Sequence, residues 1–451
     1  MLSLFVYLFF FILLFIILFY DTELGFFALL LGFLFFPPSV VVLMKSPYLD
    51  PKSIYLYAFF IIEIAKHSER LRDDIKTFPL KIPFVILGSS YICTALLAPD
   101  GSLRQLYNAL RIFIDTYGFF LAAYIVGRHC DVNNILKLLF IPVLILCGFG
   151  IVEFAIGDNY PYKVICSAFP FYTGFVDLNT TINFSQDWRS RICILTKHPT
   201  TLGTLMCILF LSYLPYRNTE YLKQTKTYFL LASIFLILIL CGSRTALLCT
   251  ILFTILYLVL KRSLAFRIIF VIAITFGITF YSVKFIDRIN IKGQGSSLEL
   301  RTDQLLYSYA QFLNSPYFGN GLSYIEKNLV EEDKNGKKQV ENLGGLESVV
   351  FTLIINQGLY GFIAYFLMMG WIFVYFYRRR NQREFATQGY LITGAVSLFF
   401  IISGHIGSND IMSYIFIGLF LGNSNSEENE EDEVNSQKET PSISSAASLP
   451  S

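Results

Sequence analysis

Two arginines and one glutamate stand where this chain changes from apolar to polar, and their chemistry is that of an anion site with a nearby base. Arg244 lies in Cys241-Gly242-Ser243-Arg244-Thr245, between two apolar runs too close together for a real loop. A guanidinium at bilayer depth is costly and is kept where it meets a cavity or an anion; the alternative is an Arg that snorkels to headgroups. Arg301 opens a segment with apolar residues at 305, 306, 309, 312 and 313, a helical stripe. An Arg near a helix start adds its charge to open backbone N–H groups and suits a phosphate; an ion pair with Glu299 or Asp303 is the plainer reading. Glu347 precedes Ser348-Val349-Val350-Phe351, where a polar stretch becomes apolar. A carboxylate there can take a proton from an attacking hydroxyl, or can simply compensate a helix N-terminus.

A second set flanks these residues. Arg189 and Arg191 sit in Trp188-Arg189-Ser190-Arg191-Ile192-Cys193, and His198 precedes Pro199 at an expected helix start, where it is a cap, a headgroup contact or a base. The turn Ser315-Pro316-Tyr317-Phe318-Gly319-Asn320-Gly321 has glycines where backbone must bend or lie close to another group. Tyr317, Gly319 and Gly321 are expected to shape the site. Arg111 and Asp115, spaced i, i+4, read as a mutually neutralising structural pair. Glu153, His405 and Asp410 are lesser candidates for lining a cavity.

These residues need elements to hold them, and composition says what kind. Over 451 residues the chain is 55% hydrophobic, with a mean hydropathy of +0.57. That excludes a single soluble domain and implies an all-α, polytopic membrane protein. A net charge of +2 with basic residues spread over several loops argues against a nucleic-acid partner. Eight cysteines without a CxxC pair or neighbouring His argue against a metal site. Cys166 and Cys193 are placed for a disulfide or for two unlinked thiols.

About twelve spans of roughly 20 apolar residues are expected, near 3 to 20, 25 to 44, 82 to 98, 109 to 126, 135 to 156, 198 to 214, 227 to 242, 245 to 260, 266 to 283, 348 to 377, 389 to 405 and 410 to 422. Pro37-Pro38 is expected to kink the second span without ending it. The run 54 to 64 reads as an interfacial amphipathic piece, too short to cross. The first segment, without a basic start or a small-residue cleavage site, reads as a retained helix. Lys and Arg beside short loops put both termini in the cytoplasm and the loops 157 to 197 and 284 to 347 outside. The organisation is then spans one to nine over 1 to 283, a large helical external loop over 284 to 347, C-terminal spans over 348 to 422, and an acidic, Ser-rich, disordered tail over 423 to 451.

Taken in order, Arg191 through His198-Pro199 to Gly203, then Gly242-Ser243-Arg244-Thr245, then Arg301 with the Ser315 to Gly321 turn, then Gly358-Leu359-Tyr360-Gly361, the sequence resembles the O-antigen polymerase and O-antigen ligase superfamily of bacterial envelope enzymes. The resemblance covers roughly 190 to 380. It implies a multi-pass protein of the bacterial cytoplasmic membrane whose site faces the exterior. It also implies glycosyl transfer without a metal or cofactor, from a saccharide on undecaprenyl diphosphate to a sugar hydroxyl. Flippase and chain-length-regulator proteins would be its partners. Arg244 and Arg301 would hold the departing diphosphate, Arg191 would assist, and Glu347 would be the base or orient the acceptor hydroxyl. Ligases resemble one another in a His just before the helix carrying Gly-Leu-x-Gly; Glu347 stands here instead, which favours a polymerase joining repeat units.

A ligase moving finished glycan onto a lipid or protein is the alternative within the class. A polysaccharide transporter is the rival outside it. A transporter keeps its charges at the bilayer midplane in broken, repeat-related helices, whereas Arg244 and Glu347 belong to a membrane boundary.

Overall fold

The computed structural model describes residues 2–38, 40–42, 49–169, 185–186, 189–196, 198–215, 224–260, 297–322, 324–325, 348–383, 385–402 and 408–439. Among them are fourteen helices: α1 (Leu2–Phe19), α2 (Thr22–Phe35), α3 (Pro51–Thr77), α4 (Lys81–Leu97), α5 (Leu103–His129), α6 (Val132–Ile156), α7 (Tyr160–Ala168), α8 (Pro199–Tyr213), α9 (Gln224–Leu240), α10 (Arg244–Leu260), α11 (Ser297–Asn314), α12 (Val349–Arg379), α13 (Ala386–Ile402) and α14 (Ser408–Glu439). A two-residue ladder, Ser185–Gln186 against Arg189–Ser190, is the one paired strand element among the described residues. The chain is a multi-pass membrane protein: α5, α6 and α12 are each long and apolar enough to cross a bilayer, and shorter apolar helices pack among them. The expected span at 266 to 283 lies outside the described residues.

Caps set the helix starts. Asp21, Asp50, Ser102, Asp131, Asn159 and Ser348 each accept a backbone N–H of the first turn of the helix that follows, as short polar side chains do at N-caps. The second expected span ends early. α2 stops at Phe35 because the residue before a proline is driven out of helical geometry, and Pro37-Pro38 terminates the helix instead of kinking it.

The run 54 to 64 is also corrected. It belongs to α3, which begins at Pro51 and runs antiparallel to α2, with Phe59 against Phe26 and the Thr22 hydroxyl donating to Glu63 Oε1 at 2.6 Å. The charged second half of α3 is tolerated because its charges pair. Arg70 meets Glu63 at 3.2 Å, and Asp74, 2% exposed, meets Arg128 at 3.2 Å and His129 at 2.8 Å. With α3 packed along α2, the start of α1 and the Asn425 region of α14 lie at opposite ends of the bundle. The start of α1 sits beside Ala168, whose carbonyl accepts the Tyr7 hydroxyl, while the Asn425 amide donates to the Thr77 carbonyl and to the Tyr124 hydroxyl at 2.8 Å. α14 runs from Ser408 to Glu439, and Asn425 ties it to α3 and α5.

Cys166 and Cys193 are both buried and are not joined to each other. Arg111 pairs with Asp115 at 3.3 Å, as expected, and the Tyr57 hydroxyl donates to the same carboxylate.

In lipid, helices associate through close packing and small residues, since the surroundings are as apolar as the helices. The crossing of α5 and α14 shows this. A Cβ on Gly127 would lie 2.0 Å from the Leu419 carbonyl oxygen, and one on Gly422 would lie 2.1 Å from that of Tyr124. Gly127→Val should therefore force the two helices apart at a cost of about 1 to 3 kcal/mol, read as a lower thermal midpoint of the purified protein. A variant melting with the wild type would contradict this crossing.

Candidate functional site

Arg191 begins the construction. It opens the segment 191–196, whose backbone makes a sharp bend with Ile194 in the left-handed region, φ 55. A β-branched residue takes that conformation only when its surroundings impose it. The imposing group is Glu153, near the end of α6 and 7% exposed, whose two carboxylate oxygens accept the Cys193 N–H at 3.0 Å and the Ile194 N–H at 2.7 Å. The Asn159 amide donates to the Ile194 carbonyl, and the Thr196 hydroxyl donates to that of Cys193 at 2.6 Å. A buried carboxylate is stable when each oxygen meets a donor, so the loop and Glu153 satisfy each other.

Held in this way, Arg191 reaches the end of α9. Its Nε donates to the Cys241 carbonyl at 3.0 Å and its Nη2 to that of Gly242 at 3.2 Å. These are carbonyls that a helix C-terminus leaves open, and a cation is favoured there. Gly242, at φ 63, turns the chain sharply enough for α10 to start two residues later at Arg244, which is exposed.

The N-terminus of α8 meets the same turn. His198 caps α8, its Nδ1 accepting the Thr200 N–H at 3.2 Å, and Pro199 takes the first helical position. One turn on, a Cβ on Gly203 would lie 2.6 Å from Ser243 Cβ and 2.9 Å from Ala246 Cβ. Two helix N-termini thus lie side by side around the Gly242-Ser243-Arg244 turn, with two guanidinium groups belonging to it. Open N–H groups, the positive ends of two helix dipoles and arginine together favour an anion.

A second paired contact holds α11. α12 breaks at Gly358, whose φ of 65 and ψ of −159 are open to glycine alone. The break removes the helical bonds from Leu359 to Ile355 and from Tyr360 to Asn356, and the 316–321 turn replaces each half. Asn320 N donates to Ile355 O at 2.9 Å and Gly321 N to Asn356 O at 3.1 Å, while Leu359 N donates to Pro316 O at 2.8 Å and Tyr360 N to Tyr317 O at 3.1 Å. Backbones this close leave no room for side chains: a Cβ on Gly319 would lie 2.3 Å from the Asn356 carbonyl, and one on Gly358 would lie 2.6 Å from Gly319 N.

The expected site residues therefore fall into three groups. Arg191, Arg244 and His198 converge on one turn, with Arg191 and His198 already bonded to backbone. Tyr317, Gly319 and Gly321 lie in the turn paired with α12, and the Tyr317 side chain is exposed. For Arg189 and Arg301 only the backbone is described, in the short ladder and in α11, and Glu347 lies outside the described residues. So does His405; of Asp410 the structure gives only its place in α14. Ser348, next to Glu347, caps α12 and donates its hydroxyl to the Ile401 carbonyl at 2.8 Å. Phe253 of α10 packs at Gly394 of the antiparallel α13, which puts Ile401 and Ser348 at the Arg244 end of the bundle.

Sequence reading gave Glu153 no positioning role, because the two N–H groups that it holds are 40 residues away. Lys52 was not among the expected site residues, although a Lys in the first turn, followed by the apolar run 54 to 62, opposes the helix dipole and is a legible signal. At the far end, a cavity of about 410 Å³ lined by Asp21, Glu63, Arg70 and His129 holds none of the expected site residues.

Glu153→Gln leaves a single acceptor oxygen, so one loop N–H loses its partner at about 1 to 3 kcal/mol. Hydrogen exchange in peptides covering Cys193 and Ile194 should accelerate at least tenfold in this variant; unchanged exchange would show that the carboxylate does not hold the loop.

No curated protein matches the chain at a significant level. A family model described as O-antigen ligase matches residues 229–366, from α9 to just past the middle of α12, so the resemblance read from the motifs is borne out over the stretch that carries Arg244, Arg301, the 315 to 321 turn and Gly358.

Proposed function

We propose that this protein is a glycosyltransferase that polymerises oligosaccharide units carried on undecaprenyl diphosphate, working at the outer face of the bacterial cytoplasmic membrane. The observation that supports it most is the Gly242-Ser243-Arg244 turn, where the N-termini of α8 and α10 and the guanidinium groups of Arg191 and Arg244 meet. Such a group of donors stabilises the charge that develops on a phosphate oxygen as the glycosidic bond breaks. Arg244 contacts the diphosphate, Arg191 fixes the turn and offers its remaining N–H groups, and Arg301 comes in on α11. The acceptor hydroxyl attacks the anomeric carbon, its proton passes to Glu347, and the lipid diphosphate leaves.

The orientation follows from charge. At the end opposite Arg244 lie Arg70, Arg72, Lys76, Arg128 and the run Arg378 to Arg380, an excess of basic residues of the kind retained in the cytoplasm. The Arg244 end then faces outward, where flipped lipid-linked glycan is presented; a flippase and a chain-length regulator are the proteins expected beside it.

The description of the matching family favours a second reading, transfer of finished glycan to an acceptor outside the growing chain. Glu347 in place of a His favours the polymerase. Surface-glycan analysis of a deletion strain separates the two, since a missing polymerase leaves single repeat units and a missing ligase leaves long lipid-linked chains. In the complemented strain, Arg244→Ala, Arg301→Ala and Glu347→Ala should each reduce chain extension by 100-fold or more at unchanged protein level. Wild-type glycan in all three would overturn the assignment.

A further inference from the structure

Lys52 occupies a position that neither the family match nor the site above explains. It is the second residue of α3, 6% exposed, with its ammonium 4.2 Å from the centre of the Phe33 ring. Among the described residues no carboxylate lies within ion-pair distance of it. Asp50, the nearest acid in sequence, has its carboxylate on the Ser53 N–H at 2.8 Å. A buried ammonium over one aromatic ring, beside the positive end of a 27-residue helix, puts two positive potentials together, with Asp50, already turned to the Ser53 N–H, as the negative charge that acts on it and no ion-pair contact among the described residues.

The ammonium lines a pocket between α2, α3, α8, α14 and the loop that carries Arg191. Phe33, Thr196, Thr201, Leu205 and Met412 form its walls, and its cavity of about 30 Å³ holds a group the size of one or two waters. Thr196 and Thr201 line it beside Lys52, with the Thr196 hydroxyl donating to the Cys193 and His198 carbonyls, and the remaining walls are apolar. The pocket lies at the Arg244 end of the bundle. It is too small for a sugar ring or a diphosphate, and its size and charge suit a carboxylate reaching in from a larger molecule.

We infer that Lys52 is a specificity residue that receives the carboxylate of an acidic sugar in the glycan, so that the repeat unit handled here contains a uronic-acid type of residue. This rests on the reading that a glycan is bound at the Arg244 end, and it adds a subsite for a part of the glycan away from the reacting centre.

The test is direct binding to the purified full-length protein, with thermal stabilisation as the readout and glucuronate, glucose and acetate as probes. Glucuronate should raise the thermal midpoint of the wild type. Glucose should not, and acetate should need at least tenfold higher concentration. The shift should vanish in Lys52→Met, which keeps the bulk of the side chain, and persist in Lys52→Arg and Arg244→Ala. No shift in the wild type, or one that survives Lys52→Met, would overturn the inference. Equal response to acetate and glucuronate would overturn the sugar assignment and leave a small-anion site. Because binding is read without glycan synthesis, a failed chain-extension test on Arg244 would count against the polymerase and not against Lys52.

Discussion

The arrangement at the Arg244 end depends on a buried carboxylate that is satisfied by backbone. Glu153 would be costly in an apolar bundle on its own. It is stable because the loop at Cys193 and Ile194 turns two N–H groups toward it. That bend starts the loop where Arg191 can reach the last carbonyls of α9, and the α9 end in turn sets where α10 begins and Arg244 emerges. Each step satisfies polar groups that lipid cannot, the main demand on any chain in a bilayer. Positioning the arginines and sealing the backbone are the same event.

A similar economy governs the other half of the site. A helix broken at Gly358 would expose two carbonyls and two N–H groups. The turn from Pro316 to Gly321 supplies a partner for all four, so α11, with Arg301 on it, is tied to a transmembrane helix by main-chain bonds whose geometry side-chain substitution alters little. Only glycine permits the approach at Gly319 and Gly358, where added Cβ atoms would fall inside the facing backbone.

Much of this was legible in the sequence in a particular way. The four motifs that carry the resemblance pair two by two in space: Arg191 to Gly203 wraps the Gly242 to Arg244 turn, and the Ser315 to Gly321 turn enters the break before Leu359. Their order along the chain was visible, but their pairing was not, because nothing local in Gly203 tells which helix needs its missing side chain. The turn at Tyr317, Gly319 and Gly321 was expected to shape a site, and its glycines answer to backbone packing. Composition gave the all-helical membrane class, and the helix ends at Ser348 and Arg244 fell where expected. The α3 traverse was missed because charges such as Glu63, Arg70 and Asp74 suggest a surface, and only the bundle supplies Thr22, Arg128 and His129 as their partners.

What remains is whether the arginines meet a lipid diphosphate. The most direct measurement is binding of undecaprenyl diphosphate to the purified protein in lipid nanodiscs, comparing the wild type with Arg244→Ala and Arg301→Ala. An anion site of this kind predicts that either substitution weakens binding at least tenfold, while undecaprenol, which lacks the diphosphate, binds the wild type no better than it binds the variants. Equal binding of the diphosphate lipid by all three proteins would contradict the account.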